Sequence, residues 1–310
     1  MKILLAVDGS EAGLVAVEET ARTPWPEGSV VRIISVAETH LPIREWTAPL
    51  PPSSYEEWER LFEVRSAESA ERAMARFGEV ACARIEARAK TLKGDPKAVI
   101  LDDAENWGAD LIIVGTHGHT ALERFWIGSV SRAVAAHAKC SVQIARRRDV
   151  RDGADGRPLK ILIAVDGSSF GDAAVEEIAG RPWPPGCQVR VISVVHLPLQ
   201  PGPEAWSLPE SHYYKLEMAE RERAEKVVKR AIARLRESDA ERETPLVLTS
   251  EVAVGRAAET IIRTAEQWGA DLIALGSHGY RGFTRFLLGS VSYAVASHAP
   301  CSVQIVRKQS

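Results

Sequence analysis

Two glycine-bounded stretches have a spacing suited to holding an anion. In the first, Gly115, two residues, Gly118, nine residues and then Gly128-Ser129 lead into a segment of helical pattern. In the second, Gly276, Gly279 and Gly289-Ser290 repeat the same intervals. Glycine lets a main chain come close to a bulky group and adopt positive φ. The first N–H groups of a helix lack intrahelical partners and sit at its positive end, which suits phosphate. Ser129 and Ser131, with Ser290 and Ser292, add hydroxyl donors. Arg124 and Arg285, in the intervening loops, offer charge-assisted contacts. The repeated carboxylates at the expected pocket are Asp8 and Asp166, each in an Ala-Val-Asp-Gly-Ser run that starts at Ala6 or Ala164 and closes an apolar stretch.

Other chemistries do not fit. There is no GxxxxGK[ST] loop, and the first apolar run ends in Asp-Gly-Ser where a dinucleotide fold needs GxGxxG. The GxSxG nucleophile elbow is absent too, since Gly276-Ser277-His278-Gly279 lacks its spacing. His117 and His278 recur, but no matched carboxylate or cysteine cluster accompanies them, and His119 becomes Tyr280. They read as loop-shaping or phosphate-adjacent residues, with no metal site expected. Cys140 and Cys301 open equivalent strands and read as small buried hydrophobes, while Cys82 and Cys187 have no counterparts.

The 310 residues are 45% hydrophobic and 26% charged, an ordinary globular balance. Lys plus Arg is 39 against 42 for Asp plus Glu, a formal charge of −3, so no nucleic-acid or anionic-membrane surface is expected. No apolar run approaches the roughly 18 residues of a membrane span. The apolar run at the N-terminus is cut by Asp8, too early for a signal peptide. A cytoplasmic protein is expected.

The chain is a duplication. Lys2 to Ser10 returns as Lys160 to Ser168, and Trp107 to Gly118 as Trp268 to Gly279. The expected layout is a domain over 1–146, a charged linker over 147–158 and a second domain over 159–310. Within the first half, apolar runs at 3–7, 30–36, 111–114 and 141–145 read as strands covered on both faces. A third strand is placed at 85–92 by alignment with 246–254. Helical spacing covers 11–22, 96–107 and 129–138, and longer helices fill 54–77 and 213–237. Strands alternating with helices make a doubly wound α/β domain with a parallel sheet. Ligands of such folds sit beyond the carboxyl ends of the strands where strand order reverses, which is where Asp8 and the Gly115 loop fall. Trp25, Trp183, Trp107 and Trp268 are expected as core packing. Segments 41–53 and 197–209, with Trp46 and Trp206, are candidate lids.

On these residues the chain resembles the universal stress protein family in its tandem form. The resemblance rests on AVDGS, WGADLI, GSVS and the glycine spacing of the nucleotide-binding subgroup, and it covers both halves. It implies a five-stranded parallel sheet of order 3-2-1-4-5 in each half, and ATP as ligand, alone or with Mg2+. By position, Asp8 and Asp166, beside Gly9 and Gly167, would bind ribose. The backbone of Val36 and Val194 would read adenine. Val114, Gly115, Thr116, His117 and Gly118, with Leu275, Gly276, Ser277, His278 and Gly279, would line ribose and phosphates. Gly128, Ser129 and Val130, with Gly289, Ser290 and Val291, would hold the phosphate tail. The first half has Gly94-Asp95-Pro96 where the second has Val254-Gly255-Arg256, and Trp126 stands where the second has Leu287. A nucleotide-dependent stress sensor or scaffold is the expected function. A slow ATP hydrolase, or a dimerisation module with empty pockets, are the alternatives. The duplication also implies an intrachain pseudo-dimer through 141–145 and 302–306, and the resemblance a homodimer of tandem chains.

Overall fold

The structure, a computed structural model, describes residues 1–38, 52–81, 85–116, 127–147, 157–196, 210–240, 245–279 and 288–308. The chain divides into two compact units, 1–147 and 148–308.

The first unit runs β1 (Lys2–Val7), α1 (Glu11–Arg22), β2 (Val30–Ala37), α2 (Pro52–Val80), β3 (Glu86–Lys93), α3 (Pro96–Trp107), β4 (Leu111–Gly115), α4 (Ser129–His137) and β5 (Ser141–Ala145). Its strands are all parallel in the order β3-β2-β1-β4-β5. The apolar strands are unbroken because helices cover both faces. Ile3, Leu5, Val31, Ile33, Leu111 and Ile113 face α1 and α2, whose Ala16, Val17, Ala21, Ala73 and Phe77 complete that core. Leu4, Ile34 and Ile112 alternate to the other side and are buried as well, as are Ile100 of α3 and Val134 of α4. Strand order reverses between β2 and β4, on either side of β1.

The second unit repeats the plan: β6 (Lys160–Ala164), α5 (Ser169–Ala179), β7 (Gln188–Val195), α6 (Glu210–Asp239), β8 (Val247–Val254), α7 (Ala257–Trp268), β9 (Leu272–Gly276), α8 (Ser290–His298) and β10 (Ser302–Val306). Its parallel order is β8-β7-β6-β9-β10. Ile161, Ile163, Val189, Val191, Ala274, Val175, Ile178, Val228 and Leu235 form the main core. Among the described residues, no helix is long and apolar enough to cross a membrane.

Trp183 joins this core and donates from its ring N–H to Ile178 O at 2.7 Å, and Trp25 makes the matching bond to Thr20 O at 2.8 Å. Trp107 and Trp268 depart from the expected core packing. Arg32 lies 4.1 Å and Lys2 5.9 Å from the Trp107 ring centre, and Arg190 and Lys160 lie at 4.5 and 5.6 Å from that of Trp268. Each lysine also donates to its tryptophan's carbonyl, at 2.9 and 3.0 Å. These half-buried cation–π lids close the amino ends of the strands, opposite the expected site. Cys140, Cys187 and Cys301 are buried, as small hydrophobes are, and Cys82 lies outside the described residues.

Arg32 also ties β2 to α3 through Asp103. Burial raises the Asp103 carboxyl, but hydrogen bonds from Lys90 Nζ and Arg32 Nη1, each 3.0 Å, together with both charges, outweigh it and hold it below its ordinary value. With a depressed folded value, this contribution is complete above the unfolded carboxyl pKa of about 4 and is lost as pH falls through the folded one. The stability advantage of wild type over Asp103→Asn, measured by urea denaturation, therefore shrinks as pH is lowered from about 5 to about 3.

The two halves also differ in one helix cap. Asp95 caps α3, accepting from Lys97 N at 3.1 Å, whereas Arg256 opens α7 with no side-chain cap. Arginine there also opposes the helix dipole, and its pair with Glu259 is exposed and adds little. Arg256→Asp should stabilise the second unit by about 1 kcal/mol in chemical denaturation.

Candidate functional site

The site begins where β1 and β6 end. Asp8 Oδ1 accepts from Ser10 N at 3.0 Å, and Asp166 Oδ1 from Ser168 N at 2.9 Å. Ser10 and Ser168 in turn cap α1 and α5 by accepting from Gly13 N and Gly171 N, both at 3.1 Å. Each aspartate is thus held by the turn that starts the next helix and is itself exposed at the sheet's carboxyl end. Gly9 and Gly167 between them have φ of 78° and 82°. A Cβ on Gly9 would also lie 2.5 Å from Ser69 Oγ of α2, and one on Gly167 2.9 Å from Val227 Cγ2 of α6.

The inner strands contribute next. Ala6 pairs with Val114 and Ala164 with Leu275. Continuing the registers, Val36 lies level with Asp8 and Val194 level with Asp166. Gly115 ends β4 under the backbone of α1: a Cβ there would meet Ala12 O at 2.6 Å and Gly13 N at 3.0 Å. Gly276 stands likewise against Phe170, with its carbonyl carbon at 2.6 Å. These two glycines were expected to admit an anion. The structure gives them a different reason, since a helix backbone occupies the space a side chain would need.

Ser131 and Ser292 also have partners of their own. The buried Ser131 hydroxyl donates to Gly115 O at 2.5 Å and that of Ser292 to Gly276 O at 2.7 Å, fastening α4 and α8 to the inner strands. Gly128 N donates to Thr116 O at 2.5 Å, and Gly289 N to Ser277 O at 2.8 Å, so the two ends of each glycine-bounded loop are tied together. Neither α4 nor α8 has a side-chain cap, in contrast to α1 and α5. Ser129 and Ser290 are exposed, and Val130 and Val291 half-buried, in those first turns.

In the second unit the strand-four loop is described as far as Gly279. A Cβ on Gly279 would lie 2.8 Å from Asp166 Oδ2, and one on Gly289 3.1 Å from Ser277 O and 3.4 Å from His278 Cα. Segments about a hundred residues apart in sequence therefore meet: Asp166, the Ser277-His278-Gly279 run and the start of α8. In the first unit Asp8, Gly115, Thr116, Gly128 and Ser131 hold the matching places. His117, Gly118, Arg124 and Arg285 lie outside the described residues, as do Trp46, Trp206, Trp126 and Leu287. Among the described residues, no group of three or more His, Cys, Asp and Glu side chains is placed to hold a metal ion.

The universal stress protein family is matched by residues 1–146 and again by residues 159–307. The chain belongs to that family. A putative universal stress protein of Staphylococcus haemolyticus is 33% identical over 153 residues, 48% of this chain and 86% of that protein. A universal stress protein from Archaeoglobus fulgidus has the fold across both units, at 19% identity and a TM-score of 0.61, with 99% of this chain and 96% of that one covered. An Arabidopsis thaliana family member, solved with AMP bound, is 20% identical over 51% of this chain and 95% of its own, at a TM-score of 0.33.

Sequence reasoning passed over Gly13 and Gly171, whose absent side chains leave the Asp8 and Asp166 carboxylates their place: a Cβ would lie 3.2 and 3.3 Å from each Oδ1. The signal was available, since a glycine follows the Asp-Gly-Ser run at the same interval in both copies. Gly276→Ala should destabilise the second unit by about 1–3 kcal/mol through the clash with α5. Denaturation without any ligand present checks it, and an unchanged midpoint would return this glycine to a purely ligand-facing role.

Proposed function

We propose that each unit binds an adenine nucleotide, ATP, and that the protein serves as a nucleotide-dependent sensor or scaffold in a stress response. The observation that carries this reading is the cradle in the second unit. There the uncapped start of α8, Gly289 and the Ser277-His278-Gly279 run enclose main-chain amides beside the Asp166 carboxylate, with glycines where any Cβ would crowd the lining. An unpartnered helix start and its dipole attract phosphate without a charged side chain. An exposed carboxylate held by a turn accepts hydrogen bonds from vicinal hydroxyls such as those of ribose.

In this reading Asp8 and Asp166 hold ribose, with Gly9 and Gly167 giving the turn its shape. The peptide groups at Val36 and Val194, level with the aspartates, meet adenine. Ser129, Val130, Ser290 and Val291 offer first-turn amides to the phosphates, while Ser131 and Ser292 brace their helices. Thr116 and Ser277, with His278, line the floor, and Arg124 and Arg285 approach the phosphate tail. Any Mg2+ would be held by the phosphates themselves, with no protein ligand assigned. The site carboxylates are each engaged with a turn amide through one oxygen. Binding without efficient turnover is therefore the reading, since water attack needs an orienting group. A cytoplasmic location, the domain limits 1–146 and 159–310, an intrachain pseudo-dimer and a homodimer of tandem chains belong to the same proposal.

Calorimetry with ATP on the purified chain tests it. Wild type should bind, and Gly279→Ala, whose methyl would stand 2.8 Å from Asp166 Oδ2, should weaken the second site by tenfold or more. No binding at either site overturns the reading, and fast phosphate release abolished by Asp166→Ala would replace it with hydrolysis.

A further inference from the structure

Among the positions at which the two candidate sites differ, one lies in the first turn of the helix after the aspartate turn. Phe170 stands in the first turn of α5 where α1 has Ala12. Its ring packs against the imidazole of His278, with centroids 5.3 Å apart and planes tilted by 48°. Its own backbone lies against Gly276 at the end of β9. His278 is 8% exposed, with Nδ1 3.2 Å from Ser277 Oγ, and its Cα lies 3.4 Å from where a Cβ on Gly289 would be. The Phe170 ring thus braces the run that carries Gly279 to Asp166, and the backbone of that run lies beside Gly289 at the cap of α8. In the first unit Ala12 makes the same backbone approach to Gly115 but has no ring to offer.

We propose that Phe170 is a positioning residue that pre-orders the second site and makes it the tighter of the two for nucleotide. This rests on the nucleotide reading given above. A run already held in place loses less freedom when a ligand orders it. A tilted aromatic pair contributes enough to separate the two affinities by roughly 2- to 12-fold.

The test uses the full chain and ATP, with Asp8→Asn to silence the first site and Asp166→Asn to silence the second. The second site should bind more tightly. Phe170→Leu, which keeps apolar bulk without the ring, should weaken it by roughly 2- to 12-fold and leave the first site unchanged. Phe170→Tyr should retain wild-type affinity, and Ala12→Phe should tighten the first site. Without nucleotide, the Gly279 amide should exchange with solvent faster in Phe170→Leu than in wild type, a change that an effect on global stability alone would spread over the whole unit. Equal affinities at the two sites, or a Phe170→Leu chain with unaltered second-site affinity and unaltered Gly279 exchange, would overturn the proposal. If neither site binds ATP, the nucleotide reading and the affinity claim fail together, and the exchange rate decides the ordering role separately.

Discussion

The close approach of a helix backbone to the last residue of the inner strand organises each unit. At Gly115 and Gly276 the first turn of α1 or α5 sits where any side chain would be. Backbone cannot swing aside as a rotamer can, so the contact fixes helix and strand together. The same glycine carbonyls receive the hydroxyls of Ser131 and Ser292. Two helix starts, one capped by serine and one left uncapped, are therefore positioned against a single residue. The aspartate turn lies between them because its serine is the cap of the first helix.

Much of this was legible in the sequence. The helices at 11–22 and 96–107 fall where their spacing places them, and the apolar inner strands announce a sheet covered on both faces. The third strand was fainter for a physical reason. β3 is an edge strand carrying Arg88, Lys90 and Lys93 on an exposed ladder, so its pattern lacks the apolar run of its neighbours. Trp107 and Trp268 misled because a large ring is as readily covered by cations as by aliphatic side chains. The glycine spacing singled out this loop, but periodicity cannot tell a residue cleared for a ligand from one cleared for a helix. Only the geometry assigns Gly115 to the second kind.

Among the described residues, the copies repeat most of the parts around the candidate site and differ more in the parts behind it. The Asp-Gly-Ser turn, the serine braces and the loop-closing amide bonds recur in both units. Ser69 is matched by Val227 in the helix that backs the turn, Asp95 by Arg256 at a cap, and Ala12 by Phe170 beneath the loop. Divergence of this kind falls on the supports of the candidate site more than on the turn and braces that the copies share.

The contact between Gly9 and Ser69 illustrates how narrowly such a turn is tolerated. Trimming Ser69 would open room for a methyl group but would leave the backbone at a φ of 78°, which L residues disfavour. Relaxing that angle would in turn shift the Ser10 cap and the carboxylate it shares the turn with. No single compensating change elsewhere restores a side chain at position 9, so the residue is locked by two unrelated demands, one of space and one of chirality.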